Sequence, residues 1–387
     1  MFGSAVSNFA LGLLILDKTD STFLYSLFFV VAMAPSMIVP LLAGPFIDRF
    51  SRRKMIYTLD FISFVLYGIL AITTFFDFFS YPLFLLMGVL YGSVGSIYQV
   101  TYDSFYPMLI SKGNFSKAYS IGSLLYPFAN TIMVPVAAIV YETVGLFPLF
   151  AFDALSFLIA AIAETQIKIK EEQTIHENQE SFHFKTELKE GIAYLKGEKG
   201  LWAVTKYFCI TALAGGAVQT LLLPFFKSTP SLNTTHYSLV MSSQTLGRII
   251  GGLVHYKIVY PAEKKYSIAV FVYAMVTIFD MIFFFSPFKL MIVIYLIYGL
   301  LGVTSFNIRT SATQSYVSND KRGRFNGMFS VITMMGTVVG QLIGGIFGEF
   351  VAIPYIIVAV SLINLAGIYF IIMKNKQAIK VVYNRVV

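Results

Sequence analysis

Cysteine is nearly absent: Cys209 is the only one in 387 residues, so the chain can form no internal disulfide and no cysteine-built metal centre. Histidine is scarce too. His176, His183, His236 and His255 fall in or beside loops without ligand spacing and read as solvated or interfacial side chains. No phosphate-cradling G-x-x-x-x-G-K-[ST] loop occurs, which argues against an ATP-driven pump. The H-E-x-x-H and G-x-S-x-G patterns are missing as well, which argues against a hydrolytic enzyme. Neither a basic segment nor an A-x-A-like cleavage site follows Met1, so no removable leader is read there. Charge is also thin. Asp, Glu, Lys and Arg make up 12% of the chain, where a soluble domain carries about a quarter.

What fills the chain is apolar, at 57% of residues, and it comes in long runs. These cover 2–16, 22–43, 55–76, 82–102, 118–140 and 146–163, then 201–223, 237–256, 266–286, 290–308, 327–348 and 352–373. A helix needs about 20 apolar residues to cross the hydrocarbon layer. All runs but the first come within a residue or two of that. Barrel strands would alternate at period two; these runs do not, and in lipid helices are the remaining solution. The first run of about 15 residues would span roughly 22 Å, short of the layer. We therefore expect the first helix to be truncated, with residues ahead of Met1 missing.

The formal net charge is +8, but its placement does not suggest nucleic acid. With both termini cytoplasmic, all but Lys18, Lys227 and Lys289 of the 28 Lys and Arg residues lie on the inner side. Lys and Arg resist translocation, so this bias sets orientation and places the basic ends against anionic headgroups. The expected organisation is an N-terminal bundle (1–164), a polar cytoplasmic linker (165–200), a C-terminal bundle (201–373) and a cytoplasmic tail (374–387). Within the linker, Phe184, Leu188, Ile192 and Leu195 share one helical face, as in an amphipathic helix on a membrane surface.

Two loops carry signatures. After the second run stands Gly44-Pro45-Phe46-Ile47-Asp48-Arg49-Phe50-Ser51-Arg52-Arg53-Lys54. It resembles the G-x-x-x-D-R-x-G-R-R/K loop of the major facilitator superfamily, with Ser51 in the place of the second glycine. Before the eleventh run come Gln314 and then Lys321-Arg322-Gly323-Arg324-Phe325-Asn326-Gly327. This resembles the Q…R-G-R-V-x-G pattern of the macrolide-efflux-like branch, with Phe325 in the valine position. Residues 2–5 and 8–11 resemble that branch's first helix, and Asn114-Phe115-Ser116-Lys117-Ala118 resembles its loop into the fifth. The resemblance implies an all-α integral membrane protein of the cytoplasmic membrane, with twelve helices in two six-helix bundles. It implies a gating loop at Gly44, Asp48, Arg49, Arg52 and Arg53, echoed by Gly323 and Arg324. A helix-end carboxylate meeting a helix N-terminus or an arginine could latch one conformation.

In that fold the first, fourth, seventh and tenth helices line the cavity. They offer Asn8, Tyr91, Tyr98, Gln99, Gln219 and Asn307, an amide and aromatic set suited to a bulky amphipathic solute. Acids inside a membrane are costly and are candidates for function by default. Asp153 and Asp280 are the deepest, while Asp103 and Arg309 stand near cytoplasmic helix ends; these four are the proton-coupling candidates. Each of these polar residues could equally serve an interhelical hydrogen bond. The fourth helix lacks an embedded arginine, and the fifth has Pro127 and Pro135 but no glycine-rich antiporter motif. The third and sixth runs share D-x-[I/L]-S-F at Asp60 and Asp153, as inverted three-helix repeats would. Gly336, Gly340 and Gly344 are spaced for close helix packing, and Gly247, Arg248, Gly251 and Gly252 are a degenerate echo of the first signature. The implied activity is proton-driven export of hydrophobic or macrolide-like compounds, without a cofactor, by a monomer in contact with lipid. Metabolite uptake or exchange on the same fold is the alternative, and cooperation with a partner ATPase is left open.

Overall fold

The computed structural model describes residues 1–47, 50–111, 115–167, 184–257, 260–318 and 321–385. The side chains of 40–47, 115–117, 119–121, 123–124, 126, 184–190 and 257 lie outside that description. The described residues are helical with no strand. The chain divides into two compact units, Met1–Phe182 and His183–Val387.

The first unit holds α1 (Phe2–Thr19), α2 (Thr22–Ile47), α3 (Arg52–Phe75), α4 (Tyr81–Phe105), α5 (Phe115–Val144) and α6 (Phe147–Glu164). The second opens on α7 (Phe184–Gly197) and continues with α8 (Lys199–Ser228), α9 (Thr234–Lys257), α10 (Lys265–Phe283), α11 (Phe288–Tyr316) and α12 (Arg322–Gly348). It closes with α13 (Ile353–Gly367), which runs on through a π-helical stretch at Ile368–Met373, and α14 (Lys376–Tyr383).

Helix starts follow local chemistry. Ser51 is extended (φ −64°) and accepts the Lys54 amide to cap α3, so the glycine of the family signature is not required at that turn. Prolines open α4, α6 and α13 within the first turn, where no donor is lost. Gly145 follows α5 at φ +96°, a left-handed geometry that favours glycine. Pro127 and Pro135 lie within α5, and Pro224 within α8.

Ten helices, α2–α6, α8 and α10–α13, are long and apolar enough to cross a membrane. The first and eighth expected runs are helical as well, as α1 and α9, but these two are less apolar. Leu155, Ile159 and Ile162 line one exposed edge of α6, and Phe271, Ile278 and Ile282 one of α10. Apolar faces of that size in water would drive association; in lipid they are at home. The chain is a multi-pass membrane protein.

Each unit is built on the same pairing. In the first, α1 packs on α5 and α6, α2 on α4, and α3 on α4 and α6. In the second, α8 packs on α12 and α13, α9 on α11, and α10 on α11 and α13. Exchanging α1 with α4, α2 with α5 and α3 with α6 maps the first set onto itself, as an inverted three-helix repeat requires. Asp60 and Asp153 are equivalent under that exchange and lie in the paired helices α3 and α6.

Glycines allow the closest approaches. Along α12, Gly336, Gly340 and Gly344 meet the backbone of Cys209, Leu213 and Ala217 on α8. Gly247 and Gly251 of α9 likewise meet Leu296 and Leu300 of α11. These small residues are packing devices.

Candidate functional site

Polar groups within the first unit gather along the α3–α6 seam. Asp153 of α6 is fully buried, and Ser156 donates to its Oδ1 at 3.1 Å. Ser7 of α1 lies beside the same carboxyl. Gly3 of α1 makes the approach possible, because a methyl there would overlap Asp153 Oδ1 and Ser156 Oγ. Tyr67 stacks between Tyr91 and Phe157, with ring centroids 5.5 and 5.4 Å apart. The Tyr91 hydroxyl is buried and faces Tyr67 and Asp153. Nearer the start of α3, buried Asp60 has the carboxyl of Glu164, the last residue of α6, against its own. Tyr98 of α4 faces both acids.

The first signature lies at this same end. Arg53 donates to the carbonyl of Thr165, which caps α6, and Arg52 Nη1 lies 3.6 Å from Met108 Sδ, just beyond α4. A cation at a helix C-terminus complements the helix dipole, so these arginines tie the end of α6 and the α4 segment to the start of α3. The side chains of Gly44, Asp48 and Arg49 lie outside the described residues, as do those of Asn114–Lys117 and of Phe184 and Leu188.

The second signature is held by several partners. Gln314 Nε2 donates to Asn326 Oδ1 at 2.7 Å, joining the end of α11 to the start of α12. Arg322 Nε reaches the Val317 carbonyl at 3.2 Å, and Lys321 Nζ sits 5.1 Å over the Tyr194 ring of α7. Phe325 is 1% exposed and shares a core with Leu195; its ring fills space that valine would leave. Gly323 has open space where a methyl would go. The apolar face of α7 packs on the protein, since Gly191 abuts Met328. Tyr316 donates to Glu198 at 2.7 Å.

Arg309 of α11 stands among three rings. Its guanidinium carbon is 5.1 Å from the Phe208 centroid, 5.4 Å from Phe306 and 4.5 Å from Phe329. Tyr273 lies behind Phe208 (5.6 Å between centroids), and its hydroxyl meets that of Tyr383 in α14 at 2.9 Å. Asp280 of α10 is buried with Tyr295 and Tyr298 of α11 nearby.

The amide candidates stand apart from these clusters. Asn8, Gln99 and Gln219 are exposed and Asn307 is half-buried. Gln99 donates to Asp103 at 2.9 Å, one turn along α4. Polar side chains exposed on membrane helices belong against water-filled space rather than lipid. The acids that sequence patterning passed over for coupling are Asp60 and Glu164. Asp60 was visible only through its repeat match with Asp153, and Glu164 ends a helix beyond the apolar run. Only the α3–α6 packing joins them.

A family model described as transmembrane secretion effector matches residues 1–381. The chain belongs to this family. Transmembrane secretion effectors are a branch of the major facilitator superfamily, and curated relatives of this member are macrolide efflux proteins. Macrolide efflux protein A of Streptococcus pyogenes is 25% identical over 261 residues, covering 65% of this chain and 62% of that protein. The protein of the same name from Enterococcus faecalis is 26% identical over 221 residues, 54% of this chain and 65% of that one. A Bacillus subtilis relative, an uncharacterized MFS-type transporter YkuC, is 25% identical over 272 residues, 66% of this chain and 62% of that one. The alignments thus span less than two thirds of these relatives. Among solved structures, a bacterial homologue of the iron transporter ferroportin superposes with a TM-score of 0.72 at 12% identity, covering 95% of this chain and 94% of its own. The nucleoside transporter NupG gives 0.70 at 14% identity, covering 97% and 96%. Family and fold are those of membrane transporters.

Proposed function

We propose that this protein is a proton-driven exporter of hydrophobic or amphipathic compounds of the macrolide type, working by alternating access in the cytoplasmic membrane. The observation that carries this reading is the relation to macrolide efflux protein A from two organisms. Exposed Asn8, Gln99 and Gln219 on otherwise apolar helices support it, because a bulky amphipathic solute needs a few amides within an apolar wall. The test is accumulation of a labelled macrolide in expressing and control cells, with and without a protonophore. Export predicts lower accumulation on expression and recovery to the control level with the protonophore. Equal accumulation without the protonophore would remove the reading.

The same proposal places both termini and the basic ends in the cytoplasm. In a Cys209→Ser background, Asp77→Cys should react with an impermeant maleimide added outside intact cells. Lys196→Cys should react only after lysis. The reverse pattern would invert the topology.

A further inference from the structure

Some polar groups in the membrane-embedded seams are satisfied, while Asp153 Oδ2, Asp280 Oδ1 and Gln341 Oε1 are among those without a hydrogen-bond partner among the described residues. In the second unit, Thr211 donates to Asn364 Oδ1 at 3.1 Å, and Asn364 Nδ2 donates to Thr277 at 3.0 Å. That network joins α8, α13 and α10 with neutral groups alone. The corresponding α3–α6 seam of the first unit is different. Asp60 is 2% exposed, and the Glu164 carboxyl is its immediate neighbour. Asp60 Oδ1 and Glu164 Oε2 are both buried with no hydrogen-bond donor among the described residues.

Orphaned carboxyl oxygens are rare because burial without a donor is costly. Two carboxylates side by side, withdrawn from water, repel each other as well. The groups facing Asp60 offer little relief. They are Glu164 and Asp153 on α6 and Tyr98 on α4. Arg53, in the first turn of α3, donates to the Thr165 carbonyl. A single proton placed between the two carboxyls turns one into a donor and the other into its acceptor, and both orphans disappear.

We infer that Asp60 and Glu164 form a carboxyl pair that holds one proton between them, and that this is the proton exchanged during transport. The step is a simple equilibrium: the dianionic pair takes one proton to become a hydrogen-bonded monoanion and returns it when the seam opens. The second half of this inference rests on the proton-driven reading above; the first half does not.

Dicyclohexylcarbodiimide, which couples to protonated carboxyls in apolar surroundings, is the probe. In purified full-length protein labelled at neutral pH and read by peptide mass spectrometry, the pair should carry one adduct between its two members, on Asp60 or on Glu164. Labelling there should exceed that of exposed Asp77 at least fivefold and fall as pH rises. In Asp60→Asn, the new amide donates to Glu164 and favours its ionised form, so Glu164 labelling should drop about tenfold at the same pH. Glu164→Gln, at the half-buried partner, should do the same to Asp60 and guards against a folding failure in the first variant. An unchanged pH profile in both variants, or adducts on both Asp60 and Glu164 of the same chain at neutral pH, overturns the shared proton. In proteoliposomes, Glu164→Gln should keep substrate counterflow but lose at least tenfold in pH-gradient-driven accumulation. Retained gradient-driven accumulation overturns the coupling role. Absence of any wild-type flux removes that role together with the transport reading, while the labelling still judges the pair.

Discussion

Gly340→Leu is expected to cost about 3 kcal/mol of folded stability, seen as a large fall in the unfolding temperature of the detergent-purified protein and in the yield of monodisperse material. Gly340 is the middle of three glycines that lay α12 directly on the backbone of α8, and its absent Cβ would coincide with the carbonyl of Leu213. Backbone cannot swing aside as a side-chain tip can, so the whole α8–α12 contact must open. Helices in lipid associate through close packing rather than through exclusion of water, so no hydrophobic term compensates for the lost approach. Gly323→Ala is the internal comparison: nothing lies within 4 Å of the added methyl, and its stability should stay within about 0.5 kcal/mol of the parent. If Gly323→Ala destabilises as much as Gly340→Leu, the distinction between packing and signature glycines is wrong.

Much of this architecture could be read without coordinates, for a physical reason. A bilayer demands about 20 apolar residues per crossing and holds Lys and Arg to one side, so single-residue composition carries the helix positions. The twelve apolar runs all became helices. α9 is the weak case, because it spends membrane-depth positions on Ser242, Ser243, Gln244, Arg248 and His255, the last bonded to Thr304 of α11 at 2.8 Å. The stripe at Gly336, Gly340 and Gly344 was legible because spacing of four on a helix implies one face.

Pairing between helices was not legible in the same way. Asp60 and Glu164 are more than 100 residues apart, and neither is unusual alone. Their meeting depends on how α3 and α6 are rotated against each other, which hydropathy does not encode. Tyr91, assigned to the cavity by resemblance, has its hydroxyl turned to Tyr67 and Asp153 for the same kind of reason. The role of α7 followed suit: amphipathicity marked an apolar face but not its partner, and the described part of that face lies on Met328 and Phe325 rather than open to lipid.

Arg309→Met is expected to act in opposite directions on stability and on transport. A guanidinium on a membrane-spanning helix costs about 3 kcal/mol on insertion scales. Phe208, Phe306 and Phe329 return part of that through their ring faces, about 2 kcal/mol together. Among the described residues Arg309 has neither a carboxylate nor a carbonyl to receive its donors. A thioether of similar length would keep the contacts with the rings and drop the desolvated charge, so unfolding should be harder by about 1 kcal/mol. Macrolide export should fall at least tenfold, because a charge on a membrane-spanning helix whose donors meet only ring faces among the described residues is a candidate for function by default. Arg309→Lys separates charge from geometry, since an ammonium keeps the charge but cannot lie flat between rings while presenting a planar fork. Recovery of export by Lys assigns the role to charge; failure of Lys assigns it to the stacked guanidinium. Full export by the Met variant would reduce Arg309 to an anchor for the aromatic cluster that runs through Tyr273 to Tyr383 of α14.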